Sequence, residues 1–307
     1  MSRVYWMDLE NLGPDRSVAQ KLRALLETSG AGDNLCPEMR VALKVNTAED
    51  GYEYGLRPVF IRSAARLAAD VTGKSPIVCD GLKLVDYWRR TKGHAFLEVA
   101  HSKGYNPQAL GGNFVINGGY SGDEGNIYPC RLPDSELGGV EVGTAVCRTD
   151  ALWVLSHVTL HPLFGLSGAL LNGGFECLVG RERMRVLKGL NPYLFNGHRP
   201  GRAELAGFRR RALEAHLGVR EAMDGRVFYV NCLWDVTPQP EYYPFSEGPL
   251  VANLGFLAAR DPVALDAATV SLLRGAGAPP PDEFLAALEE AESLGVGVRE
   301  APVERLT

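Results

Sequence analysis

No run of eighteen or more consecutive apolar residues occurs anywhere in this chain of 307 residues, so no membrane-spanning helix is expected. Basic residues are not in excess either: 32 Lys and Arg face 37 Asp and Glu, for a formal net charge of −5. An acidic chain is a poor electrostatic match for nucleic acid or an anionic membrane surface, so neither partner is expected. The six cysteines, Cys36, Cys79, Cys130, Cys147, Cys177 and Cys232, form no C-x-x-C pair and no zinc-finger or ferredoxin spacing. Free, mostly buried thiols are the expectation. The opening residues, MSRVYWMDLENLGPDRS, lack the charged, apolar, small-residue order of a secretory leader, which points to the cytoplasm. The G-x-G-x-x-G fingerprint, the Walker loop and the G-x-S-x-G elbow are all missing. That weakens dinucleotide, nucleotide-phosphate and serine-hydrolase readings.

What is there suits a sizeable core: 46% of residues are apolar and 22% charged. One domain over 1–307 is expected, with two intimate lobes (1–150 and 151–307) as the other arrangement this length allows. Val18, Leu22, Leu25 and Leu26 have helical spacing, and "PVFIRSAARLAADVTG" reads as a helix opened by Pro58 and stopped near Gly73. "RVALKVN", "SPIVCDG", "NFVINGG" and "RVFYVNCLWDV" read as strands, and "VEVGTAVCRTDALWVLSHVTL" as strand, short helix, strand. This alternation predicts an α/β fold with a mixed, largely parallel sheet and helices on both faces. Sites in such sheets gather beyond the carboxyl ends of the strands, which favours Lys44, Asn46, Asp80, the segment His157–His161 and Asp235.

"LSHVTLHPLFGLSGALLNGGF" (155–175) sets two histidines four apart. On a helix they could share a metal, but Pro162 disfavours helical geometry at His161 and the preceding residues read as strand. In a strand their Cα atoms would lie about 13 Å apart, at roughly 3.3 Å per residue. Direct co-ligation then requires the chain to bend; the alternative is two hydrogen-bonded histidines, one in the core and one at the strand end. The glycine run that follows could cradle an anion or simply allow close packing. Cys177 could pair with either imidazole as a nucleophile. Arg209, Arg210 and Arg211 sit in an amphipathic helix and read as a solvated or salt-bridged face. Asp261 before Pro262 reads as a helix cap.

Several ordered stretches together, "VALKVNTAEDGYEYGLRPVFIR", "PIVCDGLKLVDYWRRTKGHAFLEVAHSKGY", "LSHVTLHPLFGLSGALLNGGFECL" and "YVNCLWDVTP" with "PLVANLGFLAARDPVALDAATVSLL", span about 40 to 273. In these the chain resembles the bacterial and archaeal family catalogued as domain of unknown function 362, whose members often carry an added ferredoxin module. The resemblance implies an α/β core and a site around His94, His157, His161, Asn172 and Cys177. Where the family places lysines, this chain has Thr159 and Leu171; where many members have C-D-C, it reads "QPEYY"; and the cluster-binding cysteine run is missing. The chain therefore looks like a divergent member without iron–sulfur ligands.

The expected function is that of an enzyme acting on a small organic molecule without an iron–sulfur cluster. His157, His161 and Cys177 are the expected catalytic groups. Lys44, Asn46, Asp80, Asn172 and Tyr242 are the expected substrate contacts, with the Tyr242–Tyr243–Phe245 loop closing over an apolar substrate or merely packing a turn. His94, His157 and His161 are the candidate ligands for a divalent metal, imidazole suiting both proton transfer and metal binding near neutral pH. The alternative is a ligand-binding or scaffold protein that kept the fold and lost the chemistry. A flavin or thiol redox protein is less well supported, because no fingerprint is visible and the thiols are scattered.

Overall fold

The computed structural model describes residues 2–84, 91–190 and 199–307. The first half runs β1 (Val4–Met7), α1 (Val18–Thr28), β2 (Val41–Val45), α2 (Pro58–Thr72), β3 (Ile77–Gly81), α3 (Gly93–Ser102), α4 (Pro107–Leu110), β4 (Asn113–Asn117), β5 (Gly125–Pro129), β6 (Gly139–Gly143) and α5 (Thr144–Cys147). Then follow β7 (Ala151–His157), β8 (Thr159–His161), β9 (Gly165–Ser167), α6 (Ala169–Asn172), α7 (Gly180–Val186), α8 (Arg202–Ala222), β10 (Val227–Leu233), β11 (Gly255–Ala259), α9 (Pro262–Gly275), α10 (Asp282–Ser293) and β12 (Val303–Leu306).

Eight strands form one sheet in the order β12-β1-β11-β10-β7-β2-β3-β4. Neighbours pair in parallel except at β11, which opposes both β10 and β1. This is the mixed, largely parallel α/β sheet that the alternation of elements predicts. Strands from both halves of the chain interleave in it, β1 lying between β12 and β11.

Strand side chains alternate between two cores. Val41, Leu43 and Val45 pack with Leu22, Leu26, Phe60 and Ile61 from α1 and α2. Ala42, Leu152, Val154 and Tyr229 face the other way, against α6, α8 and α9. Local chemistry sets the helix ends. Ser17 and Gln20 form a reciprocal capping box at α1. Pro58 opens α2 and Gly73, at φ +71°, closes it. Asp261 Oδ1 accepts from the amides of Val263 and Ala264 at 3.0 and 3.1 Å, capping α9 as its place before Pro262 predicts. The glycine run serves close packing: a Cβ on Gly173 would come within 2.7 Å of the Tyr229 ring, and one on Gly174 within 2.9 Å of His216.

The β8–β9 hairpin is a feature the alternation pattern does not anticipate. Instead of one strand carrying both histidines, β7 stops at His157, Val158 donates its amide to the Cys232 carbonyl, and a separate two-stranded ribbon begins. His161 ends the first arm of that ribbon, and Pro162 starts its turn.

Candidate functional site

The carboxyl ends of β2, β3 and β7 carry a buried cluster of charged side chains. At the end of β2, Lys44 is fully buried, and its Nζ lies 3.2 Å from Asp80 Oδ1 and donates to the Val45 carbonyl at 2.8 Å. Burial works against the ammonium, but Asp80, with help from Glu176, outweighs it and holds the Lys44 pKa above its usual value. Asp80, at the end of β3, accepts the Thr47 amide and hydroxyl on Oδ2 at 2.9 and 2.8 Å and the Gly81 amide on Oδ1 at 2.8 Å. Lys83 Nζ stands 3.6 Å from Asp80 Oδ2. Glu176, in the 3-10 turn Phe175–Cys177, lies 3.4 Å from Arg183 on α7. Burial would lift its carboxyl, yet Lys83, Arg183 and Lys44 hold it below the ordinary range. Arg183 also donates to the Leu82 carbonyl. Three cations thus enclose two carboxylates, all at least nine-tenths buried.

His157 and Glu241 complete the cluster. His157 Nε2 lies 3.0 and 3.1 Å from the carbonyls of Trp234 and Asp235. Carbonyls only accept, so Nε2 carries the hydrogen and Nδ1 is the basic nitrogen. Among the described residues that Nδ1, which is buried, has no hydrogen-bond partner, and Glu241 Oε2 lies 4.0 Å away. Glu241 is itself buried, and among the described residues no other residue hydrogen-bonds its carboxyl oxygens; its own backbone amide is the one backbone group that favours the carboxylate. Burial pushes its pKa up, with His157 pulling the other way and Lys83 and Asp80 also within electrostatic reach. Here an imidazole and a carboxyl, both desolvated, face each other across a gap with unspent hydrogen-bonding capacity.

The remaining residues singled out by sequence divide. His161 is buried, and its Nδ1 accepts the amides of Leu163 and Phe164 at 3.2 and 3.0 Å. Burial drives its pKa down to about 4, so it is neutral, with Nε2–H directed at Tyr242 Oη 3.4 Å away. Glu176 and Arg209 lie within electrostatic reach of the ring. Cys177 is buried and donates Sγ–H to the Asn172 carbonyl at 3.3 Å; burial pushes its thiol up to about 12, the opposite of an activated nucleophile. Asn172 Nδ2 reaches Ser167 Oγ at 3.4 Å, while its Oδ1 is buried without a partner. Asn46 Oδ1 and Thr159 Oγ1 are buried and unpartnered as well.

The His94, His157, His161 metal trio needs correction. His94 is exposed in the first turn of α3, whereas the other two are buried, and among the described residues no group of three His, Cys, Asp or Glu side chains is placed to hold a metal ion. His161 has already committed Nδ1 to two backbone amides. The reading of Cys177 as a nucleophile fails too, for want of a thiolate. Of the two readings of the arginine run, the salt-bridged one describes Arg210 and Arg211, which pair with Asp134, Glu214, Glu290 and Glu136, while Arg209 and Arg211 are buried rather than solvated.

Sequence reasoning missed Lys83, Glu176, Arg183 and Glu241. Glu176 stands next to Cys177, and Glu241 lies inside the "QPEYY" stretch, so both were in view and neither carried a spacing signal. Their partners are remote along the chain, as with His157 and Glu241.

No curated protein matches the sequence. The lactate racemase apoprotein from Thermoanaerobacterium thermosaccharolyticum is similar at 17% identity and TM-score 0.42, over 76% of this chain and 50% of that one. A Thermotoga maritima protein of solved structure is similar at 15% identity and TM-score 0.43, over 94% of this chain and 60% of that one. The chain thus spans half to three-fifths of their lengths. No helix among the described residues is long and apolar enough to cross a membrane. Residues 41–271, more than half of the chain, match the model of the family described as Domain of unknown function (DUF362), and the chain belongs to that family.

Proposed function

We propose that the protein is an enzyme that moves a proton on a small organic acid, with His157 and Glu241 as the acid/base pair. The observation that carries this reading is that His157 Nδ1 and Glu241 Oε2 face each other, buried and 4.0 Å apart, with neither atom hydrogen-bonded to another side chain among the described residues. Structural polar groups in a core are ordinarily satisfied, and an unsatisfied one costs about 1–3 kcal/mol. Such a cost is tolerated where a substrate supplies the missing bonds. His157 would accept a proton at Nδ1, its orientation held by the two carbonyls on Nε2. Glu241, its pKa raised by burial, would hold or return one. Lys44, Lys83 and Arg183 outnumber Asp80 and Glu176, so the cluster is positive whenever Glu241 is protonated, which favours an anionic substrate.

The test is a panel of small organic acids in D2O, followed by NMR for replacement of carbon-bound hydrogen. Exchange is expected with the native protein and should fall at least about 100-fold in His157→Gln and in Glu241→Gln. Exchange that persists undiminished in both variants would overturn the proposal. A second reading, a binding protein without turnover, is favoured by the engagement of His161 Nδ1 and Cys177 Sγ in structural hydrogen bonds. It predicts that acids raise the melting temperature with no exchange in any variant.

A further inference from the structure

Three consecutive arginines on α8 have unequal surroundings. Arg210 lies 2.9, 3.1 and 3.6 Å from Asp134, Glu214 and Glu290. Arg211 donates to the carbonyls of Val186 and Lys188 at 2.8 and 2.7 Å and meets Glu136 at 3.2 Å. Arg209 is only 8% exposed, yet among the described residues it makes no hydrogen bond and no ion pair, and its Nε is buried without a partner. A guanidinium has five N–H donors in one plane, and leaving a buried one unspent is costly.

Arg209 lines a cleft of about 530 Å³, a size that suits a small molecule. Its walls include Pro162, Leu205, Pro240, Tyr243 and Phe245, with His161 at its edge. Phe245 is 54% exposed, and its ring lies 5.7 Å from that of Tyr243. Two carboxylates, the exposed Glu283, which also lines the cleft, and Glu290, attract the guanidinium without reaching ion-pair distance. His161, neutral at physiological pH, adds no second positive charge.

We propose that this cleft binds a small monocarboxylate with an apolar or aromatic body, the carboxylate paired with Arg209 and the body laid against Tyr243 and Phe245. The planar guanidinium fork matches a carboxylate through two parallel hydrogen bonds. One cation with the carboxylate of Glu283 nearby, among proline and aromatic walls, suits a single negative charge on an otherwise apolar molecule better than a polyanion, which Glu283 would repel. This goes beyond the proton-transfer reading, because binding is read without turnover and either can fail alone.

Isothermal titration of the full chain at pH 7 tests it, with 3-phenylpropionate, 3-phenylpropionamide and acetate as probes. The aromatic acid should bind at least tenfold more tightly than its amide, which lacks the charge, and than acetate, which lacks the body. Arg209→Met should lose at least tenfold in affinity for the acid, and Phe245→Ala severalfold. Equal affinity for acid and amide, no binding of the acid, or undiminished binding by Arg209→Met would each overturn the proposal. If Arg209→Met does not fold, Arg209→Lys, which keeps the charge but not the fork, must bind the acid more weakly than the native chain; equal binding there also overturns it.

Discussion

A lysine with no exposed surface is tolerable only while its counter-charge stays in place. Lys44 and Asp80 are both fully buried, and each accounts for the other's presence in the core. Lys44→Met should therefore leave the Asp80 carboxylate with Lys83 and its Thr47 and Gly81 hydrogen bonds but without its nearest cation, and cost about 3 kcal/mol, read as a shift in the urea unfolding midpoint. Cys177 makes the opposite point. Its thiol, at about 12, should resist iodoacetamide in the native protein at pH 8, while the exposed Cys36 is alkylated first; peptide mass spectrometry would show the order. At this scale the sequence was partly legible. Lys44, Asp80 and His157 were found because strand ends are where such sheets place their chemistry. Glu241 was not, because it sits in a proline-rich loop and acquires meaning only from an imidazole 84 positions earlier in the sequence.

Among elements, the hairpin β8–β9 and the short helix α6 place His161 and Asn172. Both depend on glycines that a sequence pattern records only as flexibility. Gly165 has φ +98°, and a Cβ there would stand 2.7 Å from Phe284 Cβ. Gly168 is pressed against the Asp266 carboxylate, 2.4 Å from where a Cβ would be. Asp266 in turn caps α6, accepting the amides of Ala169 and Leu170 at 2.8 and 2.9 Å and the Asn231 amide group at 2.7 Å. Asp266→Ala would leave these donors unsatisfied, with an expected cost of about 2–4 kcal/mol measured by denaturant unfolding. Gly168→Ala should cost about 1–3 kcal/mol through the same contact. The long helices and parallel strands were legible because their periodicity is strong. The hairpin was not, since three-residue strands show almost no period, and the amide of Val158 still completes the β7–β10 ladder by donating to Cys232 before the chain turns away.

For the molecule as a whole, buried titratable groups set the response to pH. His161 and His216 are both pushed down to about 4 by burial, from an ordinary 6.5. Folded, they bind protons less readily than unfolded, so stability falls as pH drops from about 6.5 toward 4, by up to about 3 kcal/mol for each ring. Asp266, pushed up to about 6 by burial, acts in the other direction: its protonation favours the fold as pH falls from 6 toward 3.8, and offsets part of the loss. A net fall in melting temperature between pH 7 and pH 4 is expected. His161→Asn, which keeps an acceptor for the two amides, should make that fall shallower in a calorimetric pH series.

The placement of β1 has a consequence for the order in which the molecule assembles. Its partners are β11 and β12, so Tyr5 aligns with Ala258 on one side and Glu304 on the other. During synthesis β1 emerges before β2, β3 and β4, yet it stays without its sheet neighbours until β11 and β12 follow, while β2, β3 and β4 can already associate. Contacts so distant along the chain are slow to form. Pulse-labelled hydrogen exchange during refolding should show the amides of β1 gaining protection among the last in the sheet.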